Sequence, residues 1–261
     1  MKRTPIVPDF SLFPEEFHSL LKAAPVYDSS CSKEARVWYL EAEGGLFLKC
    51  GNRGELQTEA EMTRYFHGKG LSAEVLSRIS DDRDWLLTRK IPGEDCIFPK
   101  YLEDPGRLCD TLALLLRQLH ETDFGGCPVM DRCETYRETA RRGYEKGFCD
   151  LSLFPDQWGF SSGEEAWNLV QANGRFLKTD ALLHGDYCLP NILLDDWRFS
   201  GFIDLGGSGA GDRHIDIFWG VWTLFFNLKT NDFYDRFLDA YGRDRVEPEL
   251  LRTVAALEVF R

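Results

Sequence analysis

At 261 residues, 43% of them hydrophobic, the chain can bury one substantial core or two modest ones, and no internal repeat is visible. Its formal net charge of -12 at pH 7 argues against a nucleic-acid backbone as the main partner and favours a cationic ligand, although solubility alone accounts for many acidic proteins. Eight cysteines, at positions 31, 50, 96, 109, 127, 133, 149 and 188, form no Cys-x-x-Cys pair; they read as reduced thiols rather than a zinc or redox site.

The start, Met1-Lys2-Arg3-Thr4-Pro5, is basic but lacks the apolar run of a secretory signal. Residues 217–226, the most apolar later stretch, are too few to span a bilayer as a helix, so a cytoplasmic location away from membranes is expected. Tyr27-Asp28-Ser29-Ser30-Cys31-Ser32 reads as a polar loop, with backbone N–H groups and hydroxyls able to face an anion or to form an ordinary surface turn. Residues 35–50 read as two strands joined at Glu43-Gly44-Gly45, with Lys49 near the end of the second. The apolar spacing of Leu56, Ala60, Met62, Tyr65 and Phe66 predicts a helix over residues 55–67. A semi-buried Lys49 needs a counter-charge from that helix; Glu59 can supply it, and Glu55, four residues earlier on roughly the same face, competes for the role. Further strands are expected over residues 73–80 and 84–91, followed by a hinge at Ile91-Pro92-Gly93 that divides the chain into residues 1–92 and 93–261.

From Tyr101 onward the chain reads as mainly helical, with helices over residues 107–120, 131–146 and 164–177. His120 closes the first of these, where packing on the core is the commoner fate of a histidine than catalysis. Then comes His184-Gly185-Asp186-Tyr187-Cys188-Leu189-Pro190-Asn191, followed by the apolar Ile192-Leu193-Leu194, a turn at Asp195-Asp196 and a second strand leading to Asp204. Hairpin pairing can bring Asp186, Asn191 and Asp204 together. Two carboxylates and a carboxamide suit phosphoryl transfer, because a carboxylate accepts the proton of an attacking hydroxyl while hard oxygen ligands hold magnesium. The run Gly206-Gly207-Ser208-Gly209-Ala210-Gly211 lacks the order of a nucleotide-binding glycine loop and reads as a flexible connection. Helices over residues 212–227 and 248–261 complete the chain.

His-Gly-Asp-x-Cys-Leu-Pro-Asn, Gly-Phe-Ile-Asp-Leu-Gly and Asp212-Arg213-His214-Ile215-Asp216-Ile217 together resemble the aminoglycoside 3'-phosphotransferases, and the resemblance extends along almost the whole chain. It implies an α+β, two-lobed protein-kinase-like fold with a small antiparallel-sheet N-terminal lobe and a mainly helical C-terminal lobe. It further implies ATP as phosphoryl donor, with GTP an open alternative, and Mg2+ as the metal. In these terms Asp186 receives the proton of the acceptor hydroxyl, Asn191 and Asp204 hold magnesium, and Lys49 paired with Glu59 contacts the phosphates. Ser30 and Ser32 lie in a serine-containing phosphate loop, backbone near Ile91 meets the purine, and Asp216 braces the catalytic loop. Glu258 and Phe260 match positions near the chain end that contact the amines of the drug. Gly207, where many members carry arginine, and Arg261, which follows the usual terminal phenylalanine, depart from the pattern and bear on substrate range. The implied partner is an aminoglycoside rather than a nucleic acid or membrane, and the implied assembly a monomer or weak dimer. A kinase of another small hydroxyl compound, or a silent binder of a cationic drug, are the alternative readings.

Overall fold

The computed structural model describes residues 3–30, 35–152 and 159–261. Two compact units emerge, one comprising Met1–Asp95 with Ile192–Gly206, the other Cys96–Asn191 with Gly207–Arg261. Among the described residues no helix is long and apolar enough to cross a membrane.

In the first unit six antiparallel strands, β1 (Thr4–Ile6), β2 (Val26–Asp28), β3 (Arg36–Leu40), β4 (Leu46–Asn52), β5 (Val75–Ser80) and β6 (Arg83–Arg89), lie in the order β1-β2-β3-β4-β6-β5. Helices α1 (Glu15–Ala23) and α2 (Gln57–Gly68) belong to the same unit. Successive residues of a strand face opposite sides. Leu46, Leu48 and Cys50 of β4 therefore share one face, where they join Phe13, Phe17 and Leu21 in a core centred on Trp38 and Trp85. Those two indoles stack at 5.8 Å, and the Phe13 ring meets Trp38 edge-on at 4.8 Å; such pairs add about 0.5–1.5 kcal/mol each beyond area burial. Lys49 takes the opposite face, in register with Leu86, which packs against Leu56 and Ala60 beside α2.

The expected cut after residue 92 is displaced. Strand β7 (Glu94–Asp95) pairs with β9 (Ile192–Asp195), which pairs in turn with β10 (Arg198–Phe202), and Phe202 donates its N–H to the Leu71 carbonyl. Backbone pairing thus returns residues 192–206 to the first unit, a long-range closure that composition around Pro92 does not encode. The β9–β10 turn holds Asp196 at φ 49° and Trp197 at φ 67°, the paired left-handed geometry that suits a two-residue hairpin. The segment predicted as a polar loop begins instead as β2, because Val26, Tyr27 and Asp28 pair with both β1 and β3.

The second unit holds α3 (Pro99–Leu102), α4 (Pro105–Glu121), α5 (Arg132–Glu145), α6 (Gly163–Asn173), α7 (His214–Leu228), α8 (Tyr234–Tyr241) and α9 (Pro248–Glu258). Side chains of Asp104, Asp131 and Ser162 accept from the otherwise unpaired first-turn N–H groups of α4, α5 and α6. A two-stranded ribbon pairs β8 (Ala181–Leu183) with β11 (Gly209–Gly211). The latter corrects the expectation of a flexible glycine connection. A Cβ at Gly209 would meet the Val129 carbonyl oxygen and Arg132 within 3.0 Å, and one at Gly211 the Leu183 side chain at 2.6 Å. These glycines serve close backbone approach rather than mobility.

Candidate active site

In the first unit, Lys49 leaves β4 on the face beneath α2, and its ammonium lies 2.9 and 2.8 Å from the two oxygens of Glu59 and 2.8 Å from Asp204 Oδ1. Glu55 is not the partner, since its carboxylate is spent on the backbone N–H and side-chain amide of Asn52. Glu59 stands in the first turn of α2, and Asp84, fully buried in β6, fixes that turn by accepting from Leu56 N at 3.0 Å. Burial alone would push the Lys49 ammonium down, but the carboxylates of Asp204 and Glu59 outweigh it and hold the group above its ordinary range. Burial raises the Glu59 carboxyl against the pull of Lys49, with Asp204 adding to the rise. Two carboxylates share one ammonium, leaving the cluster with a surplus negative charge.

Asp204 follows β10 at φ 58°, a left-handed backbone that aspartate tolerates better than most residues and that often marks functional turns. Its Oδ2 has no partner among the described residues, and its side chain is 53% exposed. Other groups proposed from the sequence fall in the same unit. Ser30 uses its hydroxyl on the backbone of Val37 and its N–H on Asp28 Oδ1, so it braces the entry to β3. Ser32 lies outside the described residues. Ile91 is buried, with its side chain close against Gly201, and its N–H and carbonyl make no hydrogen bond among the described residues.

The second unit carries the 184–191 loop, held from several directions. Asp216, fully buried on α7, accepts from His184 N at 2.6 Å and from Gly185 N at 2.8 Å, the bracing role implied for it. Tyr187 donates its hydroxyl to the Leu112 carbonyl of α4, Leu189 N bonds Thr223 Oγ1, and Cys96 N bonds the Leu189 carbonyl. Gly185 adopts φ 83°, and a Cβ there would collide with the carbonyl of Gly207. Within this frame Asn191 donates its amide to Asp186 Oδ2 at 2.8 Å and to the Asp186 carbonyl at 3.0 Å. Burial pushes the Cys188 thiol up, and the neighbouring Asp186 carboxylate, to which it hydrogen-bonds, adds to the effect; Cys188 stays a thiol at neutral pH.

Sequence reading missed the supports behind this loop. His120 is buried in the core as expected, and from there it presents Nδ1 to the Tyr241 hydroxyl at 2.7 Å and Nε2 to Asp216 at 3.4 Å, backing the loop. Arg132 donates from Nε to the Ser208 carbonyl at 2.6 Å, fixing the glycine run from α5. The only available signal was the Asp212-Arg213-His214-x-Asp216 run, which announces α7 but not its distant partners.

Glu258 and Phe260, the two substrate residues implied by the resemblance, lie at the end of α9 and just beyond it. On helix α9 Val254 to Leu257 are buried without exception, and Glu258 is only 4% exposed. Its Oε1 accepts from the Tyr136 hydroxyl and from Arg261 at 2.7 Å. Phe260 is an anchor whose ring meets Tyr144 and Trp167 edge-on at 5.4 and 5.5 Å.

Magnesium is testable against the donor set. Among the described residues no group of three or more His, Cys, Asp or Glu forms a cage for a metal ion. In the first unit Asp204 Oδ2, and separately in the second the carboxamide oxygen of Asn191, is a hard oxygen donor with no partner among the described residues. Donors of this type suit magnesium, which is usually held by one or two side chains with phosphate and water supplying the rest.

Residues 32–252 match the phosphotransferase enzyme family known as APH. The chain is 47% identical over 249 residues, 95% of each sequence, to a probable aminoglycoside 3'-phosphotransferase of Lactococcus lactis subsp. lactis (strain IL1403). A solved aminoglycoside-3'-phosphotransferase of type VIII superposes with a TM-score of 0.69 at 29% identity, covering 90% of this chain and 91% of that one. An aminoglycoside phosphotransferase of Streptomyces rimosus, solved with ADP and streptomycin, shares the fold at TM-score 0.71 and 21% identity, covering 97% and 98% of the two chains.

Proposed function

Because this chain belongs to the phosphotransferase enzyme family APH, we propose that it transfers the terminal phosphoryl group of ATP to the 3'-hydroxyl of an aminoglycoside, an activity that confers resistance to the drug. The observation that carries the reading is Asp186, a carboxylate set on a loop braced by Asp216 and oriented through one oxygen by Asn191. A positioned carboxylate of this kind can take the proton of the attacking hydroxyl. As the new O–P bond forms, the bond from the terminal phosphorus to the bridging oxygen breaks and ADP departs. In a loose transition state, proton acceptance contributes less than alignment and charge neutralisation.

Lys49, kept charged by Asp204 and Glu59, is the group we assign to the donor's phosphates, and the unpaired Ile91 backbone to the purine edge. GTP meets the same backbone groups, so both donors belong in the test. Asn191 and Asp204 are the residues we assign to Mg2+, which would neutralise the charge of the triphosphate when bound. We assign no phosphate contact to the Ser30 hydroxyl, which is already engaged. Glu258 is assigned to a substrate ammonium and Phe260 to anchoring the segment that presents it. The acidic balance of the chain supports a polycationic acceptor in the cytoplasm rather than a nucleic acid, and a monomer or weak dimer suffices for the reaction.

The test is incubation with magnesium, ATP or GTP and a panel of aminoglycosides, read by mass spectrometry. One added phosphoryl group on drugs bearing a 3'-hydroxyl, and none on 3'-deoxy analogues, is expected. Phosphorylation of the 3'-deoxy compounds would move the reaction to another hydroxyl, and a chain inactive on the whole panel would defeat the proposal.

A further inference from the structure

The strongest unassigned arrangement is the charge cluster where α9 ends. Glu258 is a nearly sealed carboxylate, and burial pushes its carboxyl up to about 7 against the opposing pull of Arg261. Only Oε1 is engaged, by the Tyr136 hydroxyl and the Arg261 guanidinium; Oε2 accepts no hydrogen bond among the described residues. The guanidinium carbon lies 3.7 Å from the centre of the Tyr136 ring, within cation–π range. A carboxylate beside an aromatic face is a receptor for an organic cation, and here the occupant is the chain's own side chain.

That occupant is partly exposed and lies near a second cation. Its side chain is 27% exposed, against 5% for Glu258, so it covers the carboxylate from the outer side. Arg132 lies close enough for the two guanidinium charges to repel, and it is committed to the Ser208 carbonyl. Arg261 is thus the cation paired with Glu258 among the described residues, and exchanging it for an external ammonium leaves the local charge unchanged.

We propose that Arg261 is a built-in competitor for the cation site formed by Glu258 and Tyr136, and that an amino group of the substrate binds there by displacing it. This rests on the reading that the acceptor is a polyamine, and it assigns Arg261 the role of setting how tightly that polyamine is held. The site selects protonated amines able to reach a carboxylate past an aromatic ring, and Arg261 raises the threshold for weakly basic or singly charged ligands.

The test compares wild type with Arg261→Ala and with Arg261→Gln, which keeps most of the side-chain volume if the smaller residue fails to fold. Assays run as a pH series through and above 7, so that each variant is compared where Glu258 is ionised and the substrate amines are still protonated. The expected result is a kanamycin KM lowered about tenfold with kcat unchanged, the scale of one charge-assisted hydrogen bond released for the ligand. Methylguanidinium is expected to inhibit the variants competitively against kanamycin and to raise their melting temperature, while leaving wild type unaffected. A KM that is unchanged or higher in both folded variants, or equal effects of methylguanidinium on all three proteins, would overturn the inference. Absence of kanamycin phosphorylation by wild type would instead defeat the proposed reaction, and the melting-temperature comparison would still decide the role of Arg261.

Discussion

The Lys49 cluster and the 184–191 loop achieve rigidity by opposite means. Lys49, Glu59 and Asp204 are held by charge, three ionisable groups within 2.9 Å contacts and a surplus negative charge among them. The loop is held by hydrogen bonds to backbone, with Asp216, Thr223, Leu112 and Cys96 each fixing a different point. A charge-held cluster can exchange partners when a polyanion and its cation arrive, because each ion has an alternative counter-ion. A loop tied through its backbone keeps its shape whatever binds, which suits a group that must meet one hydroxyl at one angle.

The difference can be broken one residue at a time. Asp186→Ala removes the proton acceptor and its bonds to Asn191 and Cys188 but leaves the loop's ties to Asp216, Thr223, Leu112 and Cys96; kcat is expected to fall about 10²- to 10⁴-fold in a steady-state assay with only a small change in melting temperature. Lys49→Ala should cost about 10²- to 10³-fold in kcat/KM for the nucleotide, with the loss visible as a raised nucleotide KM. Asp216→Asn keeps volume but withdraws an ionised acceptor from two backbone N–H groups and His120. Denaturant unfolding should show a loss of about 2 kcal/mol, and kcat a loss of about tenfold with little change in KM. Glu59→Gln leaves Asp204 as the counter-ion of Lys49 among the described residues, and an effect of about tenfold or less on nucleotide KM is expected.

The smallest expected effect concerns pH. Glu258 titrates near 7 in the folded protein, above its ordinary 4.5, so the folded state binds more protons than the unfolded one between those values. Its contribution to stability is therefore fully present below about 4.5 and declines as pH rises through about 7. Thermal melts across this range should show that decline for wild type and displace it to higher pH for Arg261→Gln, which loses the charge that lowers the carboxyl.

Much of the site was legible because its spacing is local. Asp186 and Asn191 are five residues apart in one loop, and their amide-to-carboxylate bond follows from that spacing. Lys49 and Glu59 are ten apart; strand alternation and the helical face narrowed the counter-charge to Glu59 or Glu55, and the family resemblance favoured Glu59. Glu55 remained a rival in the sequence because helical spacing does not distinguish it; only its capture by Asn52 does. What the sequence left dark depends on partners far along the chain. His120 reaches Asp216 across 96 residues and Tyr136 reaches Glu258 across 122. The glycine run misled for a related reason: glycine signals either freedom or close approach, and the Arg132 and Leu183 side chains that decide between them belong to other elements. The return of residues 192–206 to the first unit is likewise written in the β7–β9 pairing, not in any linker composition.

The division of labour between the two regions is tested most directly by the nucleotide dissociation constant of Lys49→Ala and Asp186→Ala, measured by calorimetry with a non-hydrolysable ATP analogue and magnesium. The account predicts that Lys49→Ala binds about tenfold or more weakly while Asp186→Ala stays within about twofold of wild type despite its lost turnover. Equal weakening in both variants, or normal nucleotide affinity in Lys49→Ala, would contradict it.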